Sequence, residues 1–201
     1  EGLELDGTNG TYVNLNNVYF GGKLTFAIWA KWHSLNYWSR LIDFANGQSN
    51  ENILIANEGT TSTLRFDIVR GNQSKFVSIS NSVTTNTWIH VVGTVENNTI
   101  KLYKNGSLIG TNTSGHEPNF KTRSGHYVGR SHWTQDAYFN GIISSIQIWS
   151  RALSASDVST LYSHGRGNAV SPHFIINNSS GIIYLNNRKL MLFNAKKNSM
   201  N

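Results

Sequence analysis

The spacing of strand-like runs is the feature that most restricts the fold of this chain. Runs rich in β-branched and aromatic residues recur roughly every ten to thirteen residues, and turns rich in Gly, Asn and Ser separate them. Such spacing is typical of antiparallel strands in a sandwich or a barrel. We therefore expect an all-β fold, an antiparallel β-sandwich, over most of the chain.

The run "LTFAIWAKW" at residues 24–32 predicts a central strand. Phe26 and Ile28 alternate with Ala27 and Trp29, so both faces of the strand carry apolar side chains. A strand that is apolar on both faces is covered on both faces. Further strands are expected at residues 40–45, 52–57, 63–69, 75–80, 88–111, 126–130 and 139–150.

Two of these runs carry additional signals. In residues 63–69 the apolar residues are expected to point inward and Arg65 and Asp67 outward. Within residues 88–111, the pairs Asn97-Asn98 and Asn105-Gly106 suit hairpin turns, which require positive φ angles.

One stretch, "WSRALSASDVSTLYSHG" at residues 149–165, predicts a short helix instead of a strand. Ser154 fits the N-cap, Asp157 completes a capping box, and Gly165 suits the position after the C-cap. The expected apolar stripe comprises Val158, Leu161 and Tyr162. We expect this helix, near residues 154–164, to cover an open end or an edge of the sandwich.

Residues 166–201 differ in pattern from the rest of the chain. "RGNAVSP" resembles a linker, and two or three short strand-like runs with Asn, Ser and Gly turns follow it. The sequence therefore predicts a domain at residues 1–165 and a β-type extension at 166–201. The extension is either a hairpin added to a sheet edge, an arm that pairs with another protein, or part of the core.

Composition excludes several classes of protein. The net charge of +6 is scattered along the chain, which indicates either solubility or an anionic partner such as a sulfated or uronic glycan or a membrane surface. No nucleic-acid-binding motif and no transmembrane run is present. The absence of cysteine excludes disulfides and thiolate metal sites. Because the chain starts at Glu1, we expect a processed form, an excised domain or part of a longer protein.

Two long motifs resemble a known family. "TWIHVVGTVENNTIKLYKNGSLIG" and "FNGIISSIQIWSRALSASDVSTLY" are similar to the laminin-G-like and pentraxin-like domains of the concanavalin-A-like lectin/glucanase superfamily. "LELDGTNGTYVNL" resembles the opening strands of that family, so the resemblance covers about residues 1–165. It implies a jelly roll with one concave and one convex sheet, in domains that often bind carbohydrates or proteins and often hold calcium.

An enzymatic role finds little support in the residues. Retaining glycosidases need two carboxyl groups about 5–5.5 Å apart, and those of this superfamily place them on one strand. The chain has eleven Asp and Glu residues but no Glu-x-Asp-x-x-Glu pattern and no Gly-x-Ser-x-Gly motif. We therefore expect a protein that is not an enzyme, with an unusual glycan-cleaving site as a further alternative.

The resemblance to pentraxins also implies a calcium site. The segment "SNENILI" is similar to the pentraxin loop that supplies acidic and amide ligands, and "TQD" stands where a second ligand loop is found. Calcium takes six to eight oxygen ligands. The implied ligands are Asn50, Glu51, Asn52, Gln135 and Asp136. The alternative is a plain polar loop.

Two loops combine aromatic and polar side chains in the way that sugar-binding sites require. Aromatic faces stack on the C–H groups of a sugar, and planar polar groups bind its hydroxyls. The candidate binding residues are His33, Tyr37, Trp38, Arg40, His132 and Trp133. The three tryptophans expected in the core are Trp29, Trp88 and Trp149.

The sequence therefore predicts a non-enzymatic carbohydrate-binding or adhesion module of a surface protein. Its expected partners are a glycan or glycoprotein surface and other subunits or domains of a larger assembly. The expected location is extracellular, at the cell surface or at the virion surface. The alternative is a structural or assembly protein that uses the sandwich and the C-terminal arm for protein contacts.

Overall fold

The computed structural model describes residues 2–15 and 17–166, together with the backbone of three strands after residue 173. The elements are β1 Leu3–Asp6, β2 Val13–Leu15, β3 Val18–Phe20, β4 Leu24–Trp32, β5 Arg40–Ala45, β6 Ile53–Asn57, β7 Leu64–Arg70, β8 Gln73–Ile79, β9 Ile89–Glu96, β10 Thr99–Lys104, β11 Ser107–Asn112, β12 Lys121–Arg123, β13 Gly125–Val128, β14 Asn140–Trp149, α1 Ala155–Ser163, β15 Phe174–Asn177, β16 Ile182–Leu185 and β17 Arg188–Leu192.

The strands form two large antiparallel sheets. Sheet A has the order β11-β10-β9-β4-β14-β15-β16-β17, and β1 also pairs with β14. Sheet B has the order β2-β13-β5-β6-β7-β8, and β3 and β12 form a small separate pair. This confirms the predicted all-β antiparallel sandwich and the central position of β4.

The inward faces of the two sheets form the core. Phe26 and Ile28 of sheet A and Phe44 and Phe66 of sheet B are completely or almost completely buried in one cluster. Gly93 on β9 makes this packing possible, because a Cβ atom there would lie only 2.6 Å from the ring of Phe66. The alternation read from the sequence therefore assigns the inward residues of both sheets correctly.

The predicted helix is present, and it covers more of the sheet than the edge that the sequence predicted. Ser154 and Asp157 form the capping box, and Gly165 has a φ of 75° after the last turn. The helix packs on the outer face of sheet A, where it shares a buried cluster with strands β4, β9, β10 and β14, and it also lies beside β11, the edge strand of that sheet. The cluster comprises Ala27, Val92, Tyr103, Trp149, Leu153, Val158 and Leu161. The outward positions of these strands form a second apolar surface, and the helix packs there because it buries that surface.

The turns also agree with the prediction. Asn97, Asn98, Asn105 and Gly106 all have positive φ angles in the hairpins that flank β10. In the C-terminal extension, β15 pairs with β14, so the extension continues sheet A. The segment predicted to be a linker lies almost entirely outside the described residues. Of the helices in the described part of the chain, none has the length and apolar character needed to cross a membrane.

Candidate functional site

A groove of about 280 Å³ lies on the outer face of sheet B. Its floor is formed by side chains of neighbouring strands, namely Arg40, Leu54, Arg65, Asp67, Val69 and Ser74. Loop residues form its walls, namely Tyr37, Trp38, Ser49, Asn72, Trp133, Gln135 and Asp136. The groove therefore combines aromatic, amide, hydroxyl and charged groups on a rigid sheet.

Strand β7 supplies an ion pair to the floor. Three of its apolar residues, at alternate positions, face the core, so Arg65 and Asp67 face the groove, as the alternation predicted. Arg65 Nη2 donates to Asp67 Oδ2 over 2.8 Å. Ser74 on β8 donates to Asp67 Oδ1 over 2.7 Å. Both oxygens of this carboxylate therefore accept hydrogen bonds from neighbouring side chains.

Arg40 occupies the centre of the site. Its guanidinium carbon lies 5.3 Å from the ring centroids of both Trp38 and Trp133. Its Nη2 atom donates to Asp136 Oδ2 over 2.8 Å, and its Nη1 atom donates to the carbonyl oxygen of Trp38. Only 5% of the Arg40 side chain is exposed. The guanidinium therefore links the two tryptophan-bearing loops beneath the surface.

The backbone of Trp38 adopts an unusual conformation that the neighbouring hairpin stabilises. Its φ angle is 49°, in the left-handed region that bulky residues rarely adopt. Its backbone N–H donates to the carbonyl oxygen of Gly59. Buried Asn57 donates to the carbonyl oxygens of both Asn36 and Gly59, over 2.9 and 2.7 Å. Strained backbone conformations that several hydrogen bonds hold in place are frequent at functional sites. Here these bonds fix the indole of Trp38 at the groove wall.

Trp133 is fixed by a tight turn. Ser131 Oγ accepts a hydrogen bond from the backbone N–H of Trp133 and donates to Asp136 Oδ2. The N–H of Asp136 donates to the carbonyl oxygen of Trp133. Burial raises the pKa of the Asp136 carboxyl, while Ser131 and Arg40 act in the opposite direction. Hydrogen bonds to Asp136 thus connect the position of the ring to that of Arg40.

The structure brings together four of the six predicted binding residues. Tyr37, Trp38, Arg40 and Trp133 line the groove. His132 lies behind it, where its ring stacks on Tyr127 and its backbone N–H donates to Asp43.

His33 contacts other residues. Its Nδ1 atom lies 3.1 Å from Asn86 Oδ1, and its Nε2 atom lies 3.8 Å from Glu4. It does not line the groove. The sequence reasoning also missed Arg65 and Asp67 as site residues, although it placed both on the outward face of their strand. That outward placement of two charged side chains was the signal that could have identified them.

The implied calcium ligands fall into two settings. Gln135 and Asp136 line the groove, whereas Glu51 is bonded elsewhere. Glu51 accepts hydrogen bonds from the Gly71 N–H and the Asn119 amide. Burial raises its pKa, but these bonds and the cations Lys121 and Arg123 outweigh burial, so the pKa lies below its ordinary value.

The amides of the same segment are also occupied. Asn52 donates to Asp43 Oδ1 over 2.8 Å and accepts from the backbone N–H of Asn50. In the part of the chain that the structure describes, no group of three or more His, Cys, Asp or Glu side chains is placed to hold a metal ion. The calcium site implied by the resemblance stays a prediction.

Comparison with known proteins places this architecture in a family. A laminin G family model, described as the concanavalin A-like lectin/glucanases superfamily, matches residues 6–159. No curated protein sequence matches the chain.

Solved structures show the same fold. Domain 4 of AbnA, an extracellular arabinanase from Geobacillus stearothermophilus, in complex with arabinotriose, has a TM-score of 0.63 at 19% identity, covering 79% of this chain and 75% of that one. A heptameric SAP-like pentraxin from Limulus polyphemus also has a TM-score of 0.63 at 19% identity, and the match covers 90% of this chain and 93% of the pentraxin chain. The CBM40 of a Ruminococcus gnavus sialidase, bound to α2,3-sialyllactose, has a TM-score of 0.61 at 15% identity, and the match covers 75% of this chain and 98% of the CBM40 chain. The matched segment spans most of the sandwich, and the chain belongs to the laminin G-type family of the concanavalin A-like lectin/glucanase superfamily.

Proposed function

We propose that this domain is a non-enzymatic carbohydrate-binding module whose ligand lies in the groove on sheet B. The observation that carries the proposal is the placement of Trp38 and Trp133 on the groove walls with Arg40 between them. Indole faces stack on sugar rings, and the polar groups around them bind hydroxyls. Two structures of similar fold contain arabinotriose and sialyllactose, which supports a carbohydrate as the ligand class.

The charges in the groove favour a neutral saccharide. Arg40 is paired with Asp136, and Arg65 is paired with Asp67. Because each cation has a carboxylate partner, the groove offers no excess of positive charge to an acidic sugar. A ligand rich in hydroxyl groups can bind the remaining donor and acceptor sites without breaking either ion pair.

The same pairing argues for binding without cleavage. A glycosidase needs one carboxyl group that donates a proton and a second that acts as a nucleophile or base. The Asp67 and Asp136 carboxylates instead accept hydrogen bonds from arginine and serine side chains. We expect no release of reducing ends from any polysaccharide that binds, measured by a reducing-sugar assay over a prolonged incubation.

We place the protein outside the cell or on a cell or virion surface, with glycans or glycoproteins as partners. The arabinanase of similar fold is described as extracellular, which supports such a location. Other domains or subunits of a larger assembly remain expected partners.

A glycan array, followed by calorimetry with a bound neutral glycan, tests the proposal. Trp38→Ala and Trp133→Ala should each weaken binding at least about tenfold, a loss of ~1.4 kcal/mol. Tyr19→Ala is the matched control, because Tyr19 is 67% exposed and does not line the groove. Absence of binding to neutral glycans, or unchanged binding by both tryptophan variants, would overturn the proposal.

One observation favours the assembly alternative. Tyr19 on β3 and Phe120, just before β12, are 67% and 65% exposed, and the centroids of their stacked rings lie 6.2 Å apart. Exposed aromatic side chains are enriched at protein interfaces. Sedimentation velocity of the wild type and of the Tyr19→Ser/Phe120→Ser variant tests for association through this pair. Association of the wild type that the variant loses would favour assembly, and a monomeric wild type would argue against it.

The calcium hypothesis has its own test. Thermal unfolding is measured with excess calcium chloride and again with EDTA. Binding to the folded state at 100 times the dissociation constant adds about 2.7 kcal/mol of stability. A calcium-dependent rise in Tm that Glu51→Ala or Asp136→Ala removes would support the site. An unchanged Tm would reject it.

A further inference from the structure

A second cluster of aromatic and cationic side chains lies on the opposite side of the sandwich, beyond the end of α1. We call it the outer-face patch, and its members are Trp29, Lys31, Trp88, His90, Tyr162 and Arg166. It is separate from the groove, because none of these residues lines the groove and four of them belong to sheet A or to α1.

The register of β4 against β9 and the chain direction after α1 bring these residues together. Trp29 on β4 lies opposite His90 on β9, so Lys31, two residues further along β4, shares their outer face. Trp88 immediately precedes β9. The positive φ of Gly165 turns the chain after α1, and Arg166 then lies over the ring of Trp88.

The contacts place two cations beside one indole. Arg166 Cζ lies 4.1 Å from the ring centroid of Trp88, and Lys31 Nζ lies 5.5 Å from it. Trp29 and Trp88 were both predicted to be core residues, but each is only half-buried. Charged groups of Lys31 and Arg166 therefore lie over a ring that the prediction placed among apolar side chains.

The neighbouring rings add an aromatic surface. Trp29 stacks on His90 at 4.9 Å and on Tyr162 at 5.5 Å, and 39% of Tyr162 is exposed. The buried His90 ring contributes no charge near neutral pH, since burial lowers its pKa to about 4. Positive charge in the patch therefore comes from Lys31 and Arg166.

These two cations differ from those of the groove because they have no acidic partner in the part of the chain that the structure describes. Among the described residues, no carboxylate oxygen lies within 4.0 Å of the charged groups of Lys31 or Arg166, whereas arginines 40, 65, 123 and 151 all have such partners. An unpaired guanidinium and ammonium are complementary to sulfate and carboxylate groups, which arginine can bind through two hydrogen bonds.

We propose that the outer-face patch binds sulfate or carboxylate groups of an acidic polysaccharide, at a site separate from the groove. Lys31 and Arg166 bind the anionic groups, and the Trp29–Tyr162 surface contacts a sugar ring. A polysaccharide fits better than a lipid surface, because electrostatic membrane attachment uses clusters of roughly four to eight basic residues. The proposal does not depend on the groove binding any glycan.

The test measures binding of the full chain to immobilised dextran sulfate, polygalacturonate and uncharged dextran by biolayer interferometry. Binding to one or both anionic polymers, but not to dextran, is expected at low ionic strength and should weaken as salt screens the charges. Lys31→Gln/Arg166→Gln should lose at least about tenfold in affinity, or ~1.4 kcal/mol. Arg70→Gln/Lys101→Gln is the matched control, because it also removes one lysine and one arginine, but from β7 and β10.

Several outcomes would overturn the proposal. An equal loss in the control variant would show that net charge alone binds the polymer. Loss of binding in Trp38→Ala would place the acidic polymer in the groove instead. Binding to phosphatidylserine vesicles, but to neither anionic polysaccharide, would assign the patch to membranes. Retained tryptophan fluorescence and Tm in each variant establish that the fold is intact, and failure to bind neutral glycans would leave this result unaffected.

Discussion

The groove and the outer-face patch use the same residue types on opposite sheets, yet their charges are arranged differently. In the groove, Arg40 and Arg65 each contact tryptophan and each bind a carboxylate. In the patch, Lys31 and Arg166 contact tryptophan but have no carboxylate partner among the described residues. An aromatic–cation cluster alone therefore does not define a ligand. Nearby acidic residues, Asp67 on the strand of Arg65 and Asp136 in the loop before β14, make the groove neutral where the patch stays positive.

The largest difference between the two regions should appear when a groove ion pair is broken. Asp136→Ala removes the 2.8 Å partner of Arg40, whose side chain is 5% exposed, and leaves it only Asp43 at 3.9 Å. We expect a loss of about 3 kcal/mol in the free energy of unfolding, at the low end for a broken buried pair because Asp43 remains. Urea denaturation measures this loss.

The control for that measurement is Glu96→Ala, which breaks the exposed Lys23–Glu96 pair and should cost at most about 1 kcal/mol. Equal losses in the two variants would show that burial does not distinguish the groove pair from a surface pair.

Acid should destabilise the protein through the histidine of the outer-face patch. Burial lowers the pKa of His90 from 6.5 to about 4, so the unfolded chain binds more protons than the folded one between these pH values. Stability is therefore complete above pH 6.5 and is lost as the pH falls towards 4, by roughly 3 kcal/mol from this group.

The variant His90→Phe isolates this contribution, because it keeps a ring against Trp29 and removes the titrating group. Urea unfolding of both proteins at pH 7 and pH 4.5 measures it. We expect a smaller difference between the two pH values for the variant than for the wild type. An equal difference would mean that another group causes the acid sensitivity, such as His126, whose pKa burial also lowers to about 4.

Much of the fold could be predicted from the sequence because its signals are local. Alternation in residues 24–32 and 63–69 identified inward residues, and Ser154, Asp157 and Gly165 defined the helix. The full extent of the helix contact was missed because apolar outward residues on several strands create its docking surface, and that surface exists only once β4, β9, β10 and β14 are adjacent.

The site was only partly predictable for the same reason. Aromatic loop residues such as Trp38 and Trp133 are visible in the sequence. The ion pair between them is not, because Arg40 and Asp136 are 96 positions apart in the chain. Sheet pairing brings the charged residues of β7 beside them. Trp88 was misassigned because sequence patterns do not show whether an indole packs among core residues or beneath the charged groups of a lysine and an arginine.

A medium effect is expected from the residue that fixes the groove wall. Asn57→Ala removes two hydrogen bonds to the carbonyl oxygens of Asn36 and Gly59 and one from Ser39. Leaving these buried groups unpaired should cost about 1–3 kcal/mol and release the strained backbone of Trp38.

Calorimetry with a neutral glycan should then show weaker binding, although Asn57 does not line the groove. Thr61→Ala is the control in the same β6–β7 connection, because the Thr61 hydroxyl bonds only to backbone groups of an exposed turn, the carbonyl oxygen of Glu58 and the N–H of Thr63. Unchanged glycan affinity in Asn57→Ala would show that the position of Trp38 does not depend on this network.

The smallest effect on stability should come from the patch. Lys31→Gln/Arg166→Gln removes two cation–π contacts at partly exposed positions, each worth about 0.5–1 kcal/mol, and leaves no carboxylate unpaired. We expect a decrease of about 1–2 kcal/mol at most by urea denaturation, well below that of Asp136→Ala. If the free energy of unfolding fell as far as in Asp136→Ala, the patch cations would be structural. The patch would then not differ from the groove in having charges available to a ligand. A small decrease together with loss of dextran sulfate binding would show that these cations contribute to recognition far more than to folding.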